Sequence, residues 1–74
     1  MNLEAATDLA IAYLKARYDI KFYRLVLGKQ EDDRWRVGID IAWHPQDRKV
    51  IDVLVDRETG TILWHEVPTK ITYF

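Results

Sequence analysis

The sequence alternates strictly between bulky apolar and other residues from position 35 to position 43, and this pattern constrains the fold more than any other feature. The odd positions carry Trp35, Val37, Ile39, Ile41 and Trp43. Successive side chains of a β-strand point to opposite faces, so the pattern predicts a strand over residues 34–43 with one buried face. A shift of one residue would bury Arg36 and Asp40 instead, which specifies the register strongly.

A helical segment precedes this strand, and further strands surround it. Residues 3–18 are rich in alanine and leucine, which favour a helix, and Asn2 is a suitable N-cap. Strand-like alternation also appears at residues 22–27, 50–56 and 61–67. Because short connections join antiparallel neighbours, the sequence predicts an α+β fold. Residues 1–74 would form a single domain, with one N-terminal helix packed on a four-stranded antiparallel β-meander and residues 70–74 as a fifth strand or a tail.

Parity along the strands predicts which residues pair and which face they share. On the face covered by the helix we expect Leu27 opposite Trp35, Leu25 opposite Val37, Tyr23 opposite Ile39, Val55 opposite Ile62, and Val53 opposite Trp64. On the other face we expect Leu54 opposite Leu63, Val50 opposite Val67, and Asp52 opposite His65. A charged ladder of arginines and aspartates shares this second face.

The second face also carries more apolar residues than a solvated surface needs. These residues are Phe22, Val26, Val50, Leu54, Leu63 and Val67. Contiguous apolar side chains on a surface usually mark an interface. We therefore predict a binding module that acts through this face or through an edge strand, with a second copy of the chain in a homodimer as the expected partner. Residues 70–74 are the candidate for pairing with a strand of the partner.

Composition narrows the function further. The chain has 74 residues, a formal net charge of −1 and no cysteine. The near-neutral charge argues against a nucleic-acid binder, and the lack of cysteine excludes disulfides and thiolate metal sites. No segment approaches the roughly 18 apolar residues that a membrane span needs, so we expect no membrane partner and a cytoplasmic location.

Few residues are candidates for chemistry. We interpret His65 and Asp52 as a cross-strand ion pair. The candidate contacts for a partner, besides the apolar residues above, are Trp43, His44, His65 and Asp52. With no nucleophile and no set of metal ligands beside these groups, we expect no enzymatic activity and no cofactor. The alternative is a small-ligand-binding or hydrolytic protein with a pocket between helix and sheet, around Tyr13, Trp43 and His44.

The hairpin at residues 50–63, VIDVLVDRETGTIL, resembles the PepSY-like family. The likeness consists of an alternating strand that ends in Asp56, a turn that closes with Thr59 and Gly60, and a second apolar strand. Residues 35–41 and the alanine-rich opening helix fit the same family. This resemblance implies a small binding module associated with peptidase regulation. The alternation of residues 35–41, the turn at residues 56–60 and the ending at residues 64–73 also show a fainter resemblance to small gas-vesicle accessory proteins. That resemblance implies a structural or assembly factor.

Overall fold

The computed structural model describes residues 1–44 and 47–67 and has the predicted α+β architecture. One helix, α1 (Leu3–Lys15), is followed by the strands β1 (Phe22–Glu31), β2 (Arg34–His44), β3 (Asp47–Asp56) and β4 (Ile62–Glu66). The strands form one antiparallel sheet in the order β1-β2-β3-β4. The predicted fifth strand at residues 70–74 lies outside the described residues. Within the described part of the chain, no helix is long and apolar enough to cross a membrane.

Helix α1 begins where the sequence predicts. The Asn2 side chain accepts a 2.8 Å hydrogen bond from the backbone N–H of Ala5 and so caps the first turn. The helix ends at Lys15, three residues before the predicted end. There the N–H groups of Arg17 and Tyr18 both donate to the carbonyl of Leu14, at 3.0 and 2.8 Å, which tightens the last turn.

The core lies between α1 and one face of the sheet, as the alternation predicts. The helix contributes Ala6, Ala10 and Leu14, and the two central strands contribute Val37, Ile39, Ile41, Ile51, Val53 and Val55, all fully buried. The two alanines have short side chains, so the helix backbone lies close to the sheet. Positions 37, 39 and 41 of β2 and positions 51, 53 and 55 of β3 therefore face the helix, and that part of the predicted register is confirmed.

The predicted pairing of β1 with β2 is wrong by two residues. Leu25 pairs with Ile39 and Tyr23 with Ile41, and a bulge between Leu25 and Leu27 brings Leu27 opposite Gly38 instead of Trp35. The cause is a tighter hairpin than expected. Only residues 32 and 33 form the turn, with Asp32 at a positive φ of 48°, so β1 continues to Glu31. After the bulge the faces exchange, and Leu27 lies on the side away from the helix.

A second bulge makes the pairing of β4 differ from the predicted one. Val55 pairs with Ile62 as predicted, but Leu63 is an extra residue, and beyond it Leu54 pairs with Trp64. The next pairs are Val53 with His65 and Asp52 with Glu66. The predicted pairs of Val53 with Trp64, Leu54 with Leu63, Asp52 with His65, and Val50 with Val67 are therefore wrong. Trp64 and His65 exchange faces relative to the prediction.

The turn between β3 and β4 is organised by Asp56 and Gly60. The Asp56 carboxylate accepts hydrogen bonds from the backbone N–H groups of Glu58 and Thr59, at 2.8 and 2.9 Å. Gly60 adopts a φ of 75°, a conformation that residues with a side chain rarely adopt. The hydrogen bonds from Thr59 and Glu58 lower the pKa of Asp56, because they favour its charged form.

This lowered pKa predicts a pH-dependent contribution to stability. A carboxylate with a lower pKa in the folded chain stabilises it fully above its unfolded pKa, near 3.9, and loses that contribution as the pH falls through the folded pKa. Asp56→Asn keeps an oxygen acceptor but removes the titration. We expect wild type to exceed the variant in urea midpoint near neutral pH, with the gap closing as the pH falls below the unfolded pKa and through the lower folded pKa. Glu58→Gln in the same turn is the control, and a gap that does not change with pH would contradict the assignment.

The close packing of α1 predicts a large cost for truncating its largest core residue. Leu14→Ala opens a cavity between helix and sheet, and we expect it to lower the free energy of unfolding by about 2–5 kcal/mol. Leu9→Ala removes the same atoms from a partly exposed position of the same helix, so its loss should be clearly smaller. Urea denaturation of both variants measures the difference. Equal losses would show that Leu14 is not a core residue.

Candidate functional site

The side of the sheet that α1 does not cover is called the outer face here. Its central apolar residues are closed off by their neighbours, since Val50 and Leu54 are each only 6% exposed. Of the other residues predicted to form an interface, Phe22, Leu63 and Val67 are exposed and Val26 is half-buried. The interface as a whole stays a prediction. Its accessible apolar surface lies at the margins of the sheet and not at its centre.

Arg36 organises one end of the outer face. Its guanidinium donates to Glu31 at 3.1 Å, to Asp52 at 3.1 Å and to Glu66 at 3.0 Å. Asp52 is almost completely buried, so water cannot stabilise its negative charge. The guanidinium of Arg36 stabilises it instead. The hydrogen bonds with Glu66, Glu31 and Asp52 raise the pKa of Arg36, against the opposing effect of burial. We refer to these four residues as the Arg36 cluster.

Asp40 organises the opposite end of the face. Its side chain is 8% exposed and contacts two arginines, Arg24 at 3.4 Å and Arg48. The hydrogen bond with Asp40, and the charge of that carboxylate, raise the pKa of Arg48. A cleft of about 350 Å³ lies at this end, lined by Phe22, Tyr23, Arg24, Asp40, Ala42 and Arg48. We call it the Arg24–Arg48 cleft.

The charged ladder was predicted in outline, and three of its members were missed. Arginine–aspartate pairs on this face are confirmed by Arg24 with Asp40 and by Arg36 with Asp52. Arg48, Glu31 and Glu66 were not included, because β3 begins earlier and β1 ends later than expected and because β4 is shifted by its bulge. For Arg48 the signal was available, since extending the parity of β3 by one pair of residues places it on the outer face.

Trp64 is the largest correction to the predicted site. It was expected in the core opposite Val53, but it pairs with Leu54 and is 62% exposed. The bulge at Leu63 is the cause, because one additional residue reverses the faces of all that follows. Trp35, in contrast, packs partly buried against the core, and its indole N–H donates to the carbonyl of Met1 at 3.3 Å.

His65 lies on the helix side of the sheet, away from Asp52. The Tyr13 hydroxyl and Nδ1 of His65 share a hydrogen bond of 2.6 Å, which ties α1 to β4. Arg17 stacks over the Tyr13 ring, 4.2 Å from its centroid. The Tyr13–His65 hydrogen bond fixes the position of the helix on the sheet. It also occupies the tyrosine that the alternative pocket would use. The side chains of Trp43 and His44 lie outside the described part of the structure.

The acidic and histidine side chains of the described residues do not form a metal site. Among residues 1–44 and 47–67, no three side chains of histidine, aspartate or glutamate are grouped so that they could hold a metal ion. The acidic cluster around Arg36 is instead held together by that guanidinium. The geometry of the outer face is thus that of two ion-pair clusters with exposed aromatic residues at its margins.

The central position of Arg36 predicts its contribution to stability. Arg36→Met leaves the buried Asp52 and two further carboxylates without the cation between them, so we expect a loss of the order of 3 kcal/mol in the free energy of unfolding. Arg34→Met removes an arginine of the same strand whose partner, Asp33, is exposed, and should change stability by less than about 1 kcal/mol. Chemical denaturation compares the two, and similar losses would contradict the structural role of Arg36.

Comparison with protein-family models, with curated proteins and with solved structures gives no match for this chain. Its function is therefore inferred from the geometry of the outer face.

Proposed function

We propose that this chain is a small non-enzymatic protein-binding module that acts through the outer face of its sheet, and that it binds a second copy of itself. The observation that carries the proposal is the exposure of Trp64 on a sheet face that the helix leaves uncovered. A tryptophan more than half exposed costs solvation free energy unless a partner covers it, and buried tryptophans dominate the energetics of many interfaces.

Phe22 supports the same surface from the other end of the sheet. It is 67% exposed and pairs with Ala42, whereas Trp64 pairs with Leu54. The two aromatic residues lie on opposite outer strands, β1 and β4. A partner that covers the outer face thus contacts an aromatic side chain at each edge of the sheet, with the ion pairs between them.

The charged centre of the face is compatible with being covered. Asp40 and Asp52 are already buried and already paired with arginines. A partner therefore does not have to remove two free carboxylates from water, which is the main cost of covering a charged surface. The remaining desolvation cost falls on the arginines and on Glu66.

The strand edges are less suited to binding than the face. A bulge between Leu25 and Leu27 interrupts β1, and Lys29 follows it. Bulges and lysines on an edge strand are the usual means by which proteins prevent another strand from pairing there. The face is therefore favoured over the β1 edge. Strand addition by residues 70–74 lies outside the described residues.

A binding role also agrees with the resemblance of residues 50–63 to PepSY-like domains, for which regulation by binding is expected. The alternative, a ligand or hydrolytic pocket between helix and sheet, has less support. Ala6, Ala10 and Leu14 fill that layer, and the Tyr13 hydroxyl bonds to His65.

The proposal predicts a concentration-dependent dimer that depends on Trp64. Sedimentation equilibrium from about 10 µM to 1 mM covers the affinities expected for a small interface. Wild type should approach twice the monomer mass at the upper end. Trp64→Thr should weaken the dimer by about tenfold or more, because it removes the largest exposed aromatic side chain of the outer face.

Leu9→Thr is the matched control. Leu9 is also an exposed hydrophobic residue, but it lies on α1, on the other side of the sheet. Its substitution should leave the dimerisation constant nearly unchanged. A wild-type mass of one chain over the whole concentration range, or equal effects of both substitutions, would overturn the proposal.

A further inference from the structure

The two clusters of the outer face carry opposite excess charges, and this bears on how two copies fit together. At one end, Arg24 and Arg48 share the single carboxylate of Asp40, which leaves one positive charge in excess. At the other end, Arg36 and Lys29 face the three carboxylates of Glu31, Asp52 and Glu66, so acidic groups outnumber basic groups among these five side chains. The described side chains thus form a face with a positive and a negative end.

The positive end is an open cleft. The side chains of Arg24 and Arg48 are 63% and 56% exposed, so their guanidinium groups still face solvent while they contact Asp40. Phe22 forms an apolar wall beside them. A volume of about 350 Å³ is at the lower end of the range for ligand pockets and suits one or two side chains. The chemistry of the cleft fits a carboxylate next to an aromatic ring.

The negative end presents that combination of groups. Trp64 and Glu66 are two residues apart on β4, where side chains share a face, and both are exposed. The Glu66 carboxylate uses Oε1 to accept from Arg36. A carboxylate accepts several hydrogen bonds, so Glu66 is able to bind a second guanidinium without losing the first.

From this match we infer that, in the dimer, Trp64 and Glu66 of each copy enter the Arg24–Arg48 cleft of the other. The inference rests on the proposed self-association and specifies its geometry. A twofold axis that exchanges the two ends of the face makes this contact twice, as the symmetry of a homodimer requires. The partner's Glu66 then contacts Arg24 and Arg48, and the partner's Trp64 packs against Phe22.

Each of these contacts has a known physical basis. Arginine binds carboxylates through paired, charge-assisted hydrogen bonds, and these are stronger than neutral ones. Arginine also stacks on tryptophan, and aromatic rings attract each other edge to face. A parallel arrangement of the two faces would instead place like charges together, which disfavours it.

Charge reversal on each side of the contact provides the test. Arg24→Glu places two acidic groups against each other in its own homodimer, and Glu66→Arg places basic groups together. Each variant alone should dimerise at least about tenfold more weakly than wild type, because the repulsion occurs twice. An equimolar mixture should form a heterodimer near wild-type affinity, since both of its contacts then join opposite charges. Native mass spectrometry distinguishes the heterodimer by mass.

Two further variants keep the result interpretable. Arg24→Gln removes the positive charge without placing an acid beside Asp40, so it should fold even if Arg24→Glu folds poorly. It should still weaken the dimer, because the partner's Glu66 loses an arginine. Circular dichroism monitors the folding of each variant. Lys15→Glu changes the net charge by the same amount as Arg24→Glu, but on the helix side, and should have no effect on dimerisation. If wild type is monomeric, the proposed function fails. If wild type dimerises but Arg24→Gln and Glu66→Arg have no effect, or the mixture shows no recovery, self-association stands and this geometry is overturned.

Discussion

The structure depends on the packing of three small or medium side chains of α1 against six aliphatic side chains of the two central strands. Ala6 and Ala10 bring the helix backbone close to the sheet, and Leu14 fills the space at its C-terminal end. A chain of this size buries little apolar surface, so its stability relies on this single layer. The N-cap at Asn2 and the Tyr13–His65 hydrogen bond keep the helix in place at its two ends.

With one face committed to the core, the other face is available for recognition. The ion pairs there differ from ordinary surface salt bridges, because Asp40 and Asp52 are nearly buried and their arginines are only partly so. Such pairs add little net stability but penalise other arrangements of the charged side chains. They hold Arg24, Arg36 and Arg48 in defined positions, and a surface with fixed charges recognises a partner at a lower cost in side-chain entropy.

The alternation of residues 35–43, together with the helical segment before it and the strand patterns around it, was sufficient to predict the α+β fold class and the buried face of the two central strands. It could not predict the two bulges, because a bulge adds a residue without altering the apolar pattern before it. The bulge at Leu63 moved Trp64 out of the core, and His65 became the partner of Tyr13. Ile62, Leu63 and Trp64 are all apolar, so the sequence pattern does not show which of them packs against the core, and in the structure only Ile62 does. The tight turn at Asp32 was obscured in the same way by three consecutive acidic residues.

The bulge in β1 has a consequence for the behaviour of the protein at high concentration. Regular edge strands let identical sheets join edge to edge without limit, and the products are insoluble fibrils. In this chain the kink between Leu25 and Leu27 interrupts the row of backbone donors and acceptors at that edge. Growth by repeated addition of sheets is thereby opposed at β1, whereas the proposed twofold contact through the outer face is complete with two copies.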